Sequence, residues 1–192
     1  DGDVGAEVQH RLGRGVGALV VFLEQQFAAH QHLAAIGDLD LDPRRCARYH
    51  CDFHVGKMIT ETAQILSTVL GGPYKPTHVN HPCVKWAAHS LHNLTWLTVL
   101  GDALGEEFEY RREKRHASSL VIAELRMKLL REYVVNVQRP TTFVLAMPEH
   151  LRPAGAFAKP SVAVECYRAY YNECKQGFWR QDTWVPATWG KR

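Results

Sequence analysis

His54, Lys57, Glu61 and Gln64 recur at steps of three, four and three. On a helix those steps place all four side chains on one stripe, and His50 extends it by a turn. Lys57 and Glu61 stand four apart, so an amine and a carboxylate lie one turn from each other. Such a pair can transfer protons, or support imine chemistry when burial makes the amine nucleophilic. The competing expectation is a solvated face opposite the core, with no chemistry at all.

A second conflict lies further along. Asn93 falls inside an apolar arc of Trp86, Leu97, Leu100 and Leu104, with His89 and Ser90 beside it. A buried amide must be hydrogen-bonded, at a cost of about 1–3 kcal/mol otherwise. Glu107 and Arg111 follow on the same side, four apart. Either a satisfied structural network or a polar pocket between helices accounts for them. The intervening loop reads His78-Val79-Asn80-His81-Pro82-Cys83. Together with Cys51 and His54 it offers thiols and imidazoles enough for zinc, with Cys51, His54, His78 and His81 as the alternative ligand set. Without that metal the chain needs no cofactor, and the loop histidines act as hydrogen-bonding groups.

Arg111, Arg112, Lys114, Arg115 and His116 form a basic cluster. Tyr167, Arg168, Tyr170, Tyr171, Lys175 and Trp179 mix aromatic and basic groups nearer the C-terminus. Such mixtures hold phosphates and stack bases, and they also occur on ordinary surfaces. No Walker loop, Gly-x-Gly-x-x-Gly, Gly-x-Ser-x-Gly or His-Glu-x-x-His occurs. Nucleotide kinases, dinucleotide enzymes, α/β-hydrolases and common metalloproteases are therefore disfavoured.

These residues need helices to position them. Apolar arcs predict helices over residues 44–70, 83–112, 118–135 and 161–179, with a further amphipathic one over 16–35. Gly71, Gly72 and Pro73 stop the first of these, and Pro82 starts the next. The β-rich runs 134–137 and 141–145 are short. The expected fold is mainly α: a compact helical domain of about four to five helices with little or no sheet. It occupies residues 38–192, and residues 1–37 are an N-terminal extension, non-native or one amphipathic helix. The 192 residues are 46% hydrophobic and 22% charged with a net charge of +3, which excludes wholesale disorder, collagen and coiled coil. The 5 cysteines are odd in number and sparse, which favours a reduced compartment over a disulfide scaffold. The apolar run 16–22 is far short of the ~20 residues that span a bilayer. A cytoplasmic protein with no membrane partner is expected.

The ordered blocks carry a resemblance. Cys51-Asp52-Phe53-His54-Val55-Gly56-Lys57-Met58 with Glu61 and Gln64 is similar to the opening signature of a small protein family common in tailed-phage genomes. The segment Tyr74-Lys75-Pro76-Thr77-His78-Val79-Asn80-His81-Pro82 fits it too, as do Trp86, Ser90, Asn93 and Trp96-Leu97. Tyr110-Arg111, Lys114, His116, Met147-Pro148, Tyr167-Arg168, Tyr170-Tyr171, Lys175 and Trp179 complete the pattern. The match spans residues 38–189. One departure is Glu113, where the family usually carries Gly.

Members of that family sit beside DNA-metabolism genes, and its layout is similar to that of the phage pyrimidine-dimer DNA glycosylases, small helical proteins with an amine nucleophile and a carboxylate. The resemblance implies a DNA-acting enzyme in the host cytoplasm, excising or modifying a base, with nucleic acid as its partner. Lys57 would be the nucleophile or base and Glu61 the proton carrier, with His54 and His81 as further catalytic residues. His78, Asn80, Trp86, Asn93, Arg111, Lys114, His116, Tyr167 and Lys175 would bind substrate. A metal-binding hydrolase and a non-catalytic phage accessory protein that binds a partner are the alternatives.

Overall fold

A computed structural model describes residues 39–133, 142–153 and 155–178. The amphipathic helix expected over 16–35, the β-rich run 134–137 and the tryptophans at 179, 184 and 189 lie outside them.

The described chain is mainly α. Helices α1 (Pro43–Tyr49), α2 (Asp52–Leu70), α3 (Pro82–His89), α4 (Leu91–Arg112) and α5 (Ala117–Glu132) precede a short ribbon of β1 (Phe143–Val144) and β2 (Phe157–Ala158), and α6 (Pro160–Cys174) follows. Six helices appear where four to five were expected over this stretch, because two predicted helices each break once. The segment 44–70 breaks at His50 and Cys51, which are extended at ψ 139° and ψ 157°. The Arg111 guanidinium takes the Arg48 and His50 carbonyls there, replacing helical partners that the end of α1 lacks. The segment 83–112 breaks at Ser90, whose Oγ accepts the Asn93 amide at 3.1 Å as the N-cap of α4.

Local chemistry sets the other ends. Asp42 caps α1 by accepting the Arg44 and Arg45 amides, ahead of Pro43 at the first position. Gly71 ends α2 at φ 69°. His81 and His116 cap α3 and α5, each ring accepting an amide through Nδ1 at 3.2 Å. Glu113 ends α4 at φ 54°, ψ 28°, the left-handed region where a side chain costs about 1 kcal/mol. A glycine would carry no such cost there. Glu113→Gly should raise stability by about 1 kcal/mol, or roughly 2–4 °C in thermal midpoint by calorimetry. No gain, or a loss, would contradict this.

The core gathers Met58, Ile59 and Leu66 of α2, Leu97, Leu100 and Leu104 of α4, and Ile122 and Leu125 of α5. Gly101 lets these helices cross closely: a Cβ there would lie 2.7 Å from Thr62 Cγ2 and 3.0 Å from Ile122 Cδ1. Phe143 pairs with Ala158 and Val144 with Phe157 in an antiparallel ribbon, so the strand expected over 141–145 is only two residues long. Tyr167 ties α6 to this ribbon, its OH donating to the Val144 carbonyl at 2.7 Å and accepting the Ala146 amide at 3.1 Å. Among the described residues no helix is long and apolar enough to cross a membrane.

Candidate functional site

The N-terminal half of α2 carries the densest polar chemistry. Its start is fixed from beneath by Arg111, whose side chain is 1% exposed. Nε donates to Glu107 Oε1 at 2.6 Å, Nη1 to the His50 carbonyl at 2.9 Å, and Nη2 to the Arg48 carbonyl at 2.9 Å. Asp52 Oδ1 lies 3.4 Å from Nη1. A guanidinium buried this way holds the α1–α2 corner against α4. It presents nothing to a phosphate outside, so Arg111 occupies a structural post rather than the substrate contact expected of it.

Two neutral imidazoles lie above that corner. His50 is fully buried, which pushes its pKa down to about 4, with Arg111 adding to the shift and the Cys46 bond opposing it. Its Nδ1 stands 2.8 Å from the Cys46 carbonyl, so this nitrogen carries the proton and Nε2 keeps a lone pair. His54 is held down to about 3, first by burial and then by the nearby His50, Lys175 and Lys57. Its Nδ1 lies 2.6 Å from Tyr171 Oη. Burial raises the Tyr171 phenol well above its usual range, so a protonated hydroxyl faces the neutral ring. The same burial raises the Cys51 thiol, which stays protonated.

The Lys57–Glu61 pair stands one turn further on. Lys57 Nζ lies 3.4 Å from Glu61 Oε1, with the lysine side chain 36% exposed and the carboxylate 6%. A buried carboxylate therefore holds an amine that reaches solvent. The expectation of a solvated stripe is overturned for His54 and Glu61, both buried.

Elements distant in sequence flank this helix face. On one side, Phe53 meets Phe178 at 5.5 Å between centroids, and Lys175 Nζ lies 5.4 Å from the Phe178 ring and 5.1 Å from Tyr170. On the other, Phe108 packs on His116 at 4.9 Å and lies within 3.2 Å of where a Gly56 Cβ would stand. Lys114 is close enough to His116 to help burial lower its pKa. Ser118 Oγ reaches Tyr74 Oη at 2.9 Å and Thr60 Oγ1 at 3.5 Å, which brings the start of the 71–81 loop to α2.

The remaining expected site residues are placed elsewhere. Trp86 is buried among Trp96 and Phe143 and donates to the Thr142 carbonyl at 2.7 Å, so its faces are not open to a base. Asn93 is buried and donates to the Trp86 carbonyl at 2.8 Å, a satisfied structural amide. Tyr167 is buried against the ribbon, as described above. His78, at φ 48°, and Asn80 are exposed on the loop, and His81 serves α3 as its cap. Thr77 ties this part of the loop to Thr68, 3.3 Å away. Thr68 lies about 16 Å along α2 from Lys57 at 1.5 Å of rise per residue. Cys51, His54, His78 and His81 do not form a ligand set: among the described residues no three His, Cys, Asp or Glu side chains come together to hold a metal ion. A surface cavity of about 250 Å³ lies apart from these residues, between α4 and α5, lined by paired charges such as Arg126–Asp102 and Arg44–Glu106.

Reading residues alone singled out neither Asp52 nor Phe53 as contributors to a site, placed Tyr171 only in the aromatic and basic mixture near the C-terminus, and gave His50 no role beyond extending the stripe. The dense His-Cys-Asp-Phe-His run was the available signal. No family model, no curated protein and no solved structure matches the chain.

Proposed function

We propose that this chain is a DNA-acting enzyme of phage type that excises or modifies a base, with its chemistry at Lys57 and Glu61. One observation carries the reading: an amine open to solvent is held 3.4 Å from a buried carboxylate, beside an uncharged imidazole. That arrangement suits a nucleophilic amine with its own proton acceptor.

In the excision version, the Lys57 nitrogen forms a bond to C1′ of the target nucleotide. The glycosidic bond breaks, its electron pair leaves with the base, and the base takes up a proton. Glu61 accepts the proton released from the attacking nitrogen and returns it to the ring oxygen as the sugar opens to an imine. Water supplies the proton that the departing base takes up, because the neutral His54 ring could release one only as an imidazolate. The target must leave the base stack to reach the amine. Lys175 and Lys114, on either flank, supply phosphate contacts in place of Arg111.

The test is base release and strand scission on UV-irradiated, deaminated and abasic duplexes. Wild-type protein should act on at least one of them. Lys57→Ala should lower the rate about a thousandfold or more, and Glu61→Gln by about 10²–10⁴-fold. Activity that survives Lys57→Ala, or no action on any of these duplexes, would refute the reading.

A further inference from the structure

Phe53 and Phe178 are large apolar side chains left in the open, 56% and 45% exposed. They come from the first turn of α2 and from the short 3₁₀ turn Gln176–Phe178 beyond α6, yet their rings touch at a 38° tilt. Phe53 also lies 5.8 Å from the His54 ring. Lys175 holds its ammonium over Phe178 and over Tyr170, which packs on Tyr171 at 6.0 Å. The result is a short aromatic ledge with a cation above it, running into the buried tyrosine that is hydrogen-bonded to His54.

Isolated exposed phenylalanines need no explanation, but two in contact beside ionisable groups do. An apolar protein partner would be served by the rings alone and would gain nothing from an ammonium placed over them. A nucleotide uses both parts, stacking its base on a ring face and pairing its phosphate with the cation. Position matters as well: Phe53 and Lys57 are four apart on α2, so a base lying on Phe53 stands one helical turn from the amine.

We propose, building on the DNA reading above, that Phe53 and Phe178 form the stacking ledge for an unpaired base, and that Lys175 holds the adjoining phosphate. The substrate class is therefore DNA whose target nucleotide is already single-stranded, mismatched or extruded, in preference to intact duplex.

The test is fluorescence anisotropy of the full chain with labelled oligothymidylate, and with the same strand in duplex. Wild type should bind the single strand more tightly. Phe53→Ala and Phe178→Ala should each weaken single-strand binding roughly 5–150-fold, the equivalent of about 1–3 kcal/mol per stacked base. Phe53→Trp should keep it. Lys175→Gln should weaken binding and reduce the salt slope by about one. Unchanged thermal midpoints confirm that these exposed variants fold. Wild-type binding that both alanine variants retain in full would overturn the ledge while leaving the DNA reading in place. No binding to either strand form would overturn both.

Discussion

Arg111→Met should cost about 3–5 kcal/mol and lower the thermal midpoint by roughly 6–20 °C. The substitution removes the cation that the buried Asp52 and Glu107 share, and the Nη donors to the Arg48 and His50 carbonyls. Arg111→Lys should recover little, because one ammonium cannot reach four acceptors in the directions the planar fork serves. Adding Glu107→Leu to Arg111→Met should restore part of the loss by removing a stranded charge. Calorimetry on the three variants checks this. A cost below about 1 kcal/mol for Arg111→Met would show that the α1–α2 corner does not depend on the guanidinium.

Acid should weaken the fold well before its carboxylates protonate. Burial holds His50 to about 4 and His54 to about 3, against 6.5 for a free imidazole. As pH falls the unfolded chain therefore takes up these protons first. The stability tied to the neutral rings is complete above about pH 7 and is lost as pH drops from the unfolded value through the folded ones. At pH 5 each imidazole should have lost about 2 kcal/mol, together about 4 kcal/mol of a typical 5–15 kcal/mol total. The surroundings oppose rather than relieve the charge: Arg111 faces His50, while Lys57, Lys175 and His50 face His54. Denaturant unfolding at pH 7 and pH 5 measures the difference, and His54→Asn should roughly halve it. Equal stability at both pH values would contradict the buried neutral assignment.

Much of the architecture was legible because helix signals are local. Apolar arcs, Gly71 at a left-handed position and Pro82 at a first turn all act within a few residues of the ends they define. The breaks at His50 and Ser90 were missed because the apolar arcs continue through them. Ser90 was visible as a helix cap, but reading it as a polar intruder in the arc hid that role. The break at His50 depends on Arg111, 61 residues away, and no local pattern could report it.

The candidate residues could be read from the sequence and their surroundings could not. The spacing of Lys57 and Glu61 on one stripe was readable, but whether that stripe faces water depends on which elements pack against it. Tyr171, 117 residues from His54, decides the matter for that imidazole. The basic cluster misled for a related reason. Arg111 and Arg112 are adjacent in sequence but about 100° apart around the helix, so one is interior and the other solvated. Asn93 was correctly marked as a buried amide in need of a partner, and its partner is the carbonyl of Trp86, a structural contact.

Borohydride trapping on a duplex that the protein is found to process, followed by peptide mapping of the adduct, tests the proposed chemistry at Lys57 most directly. Reduction of an imine would leave the sugar covalently joined to Lys57, with the adduct absent in Lys57→Ala and retained in Lys175→Gln. A substrate that is turned over with no trapped adduct, or with the sugar joined to a different amine, would contradict the account.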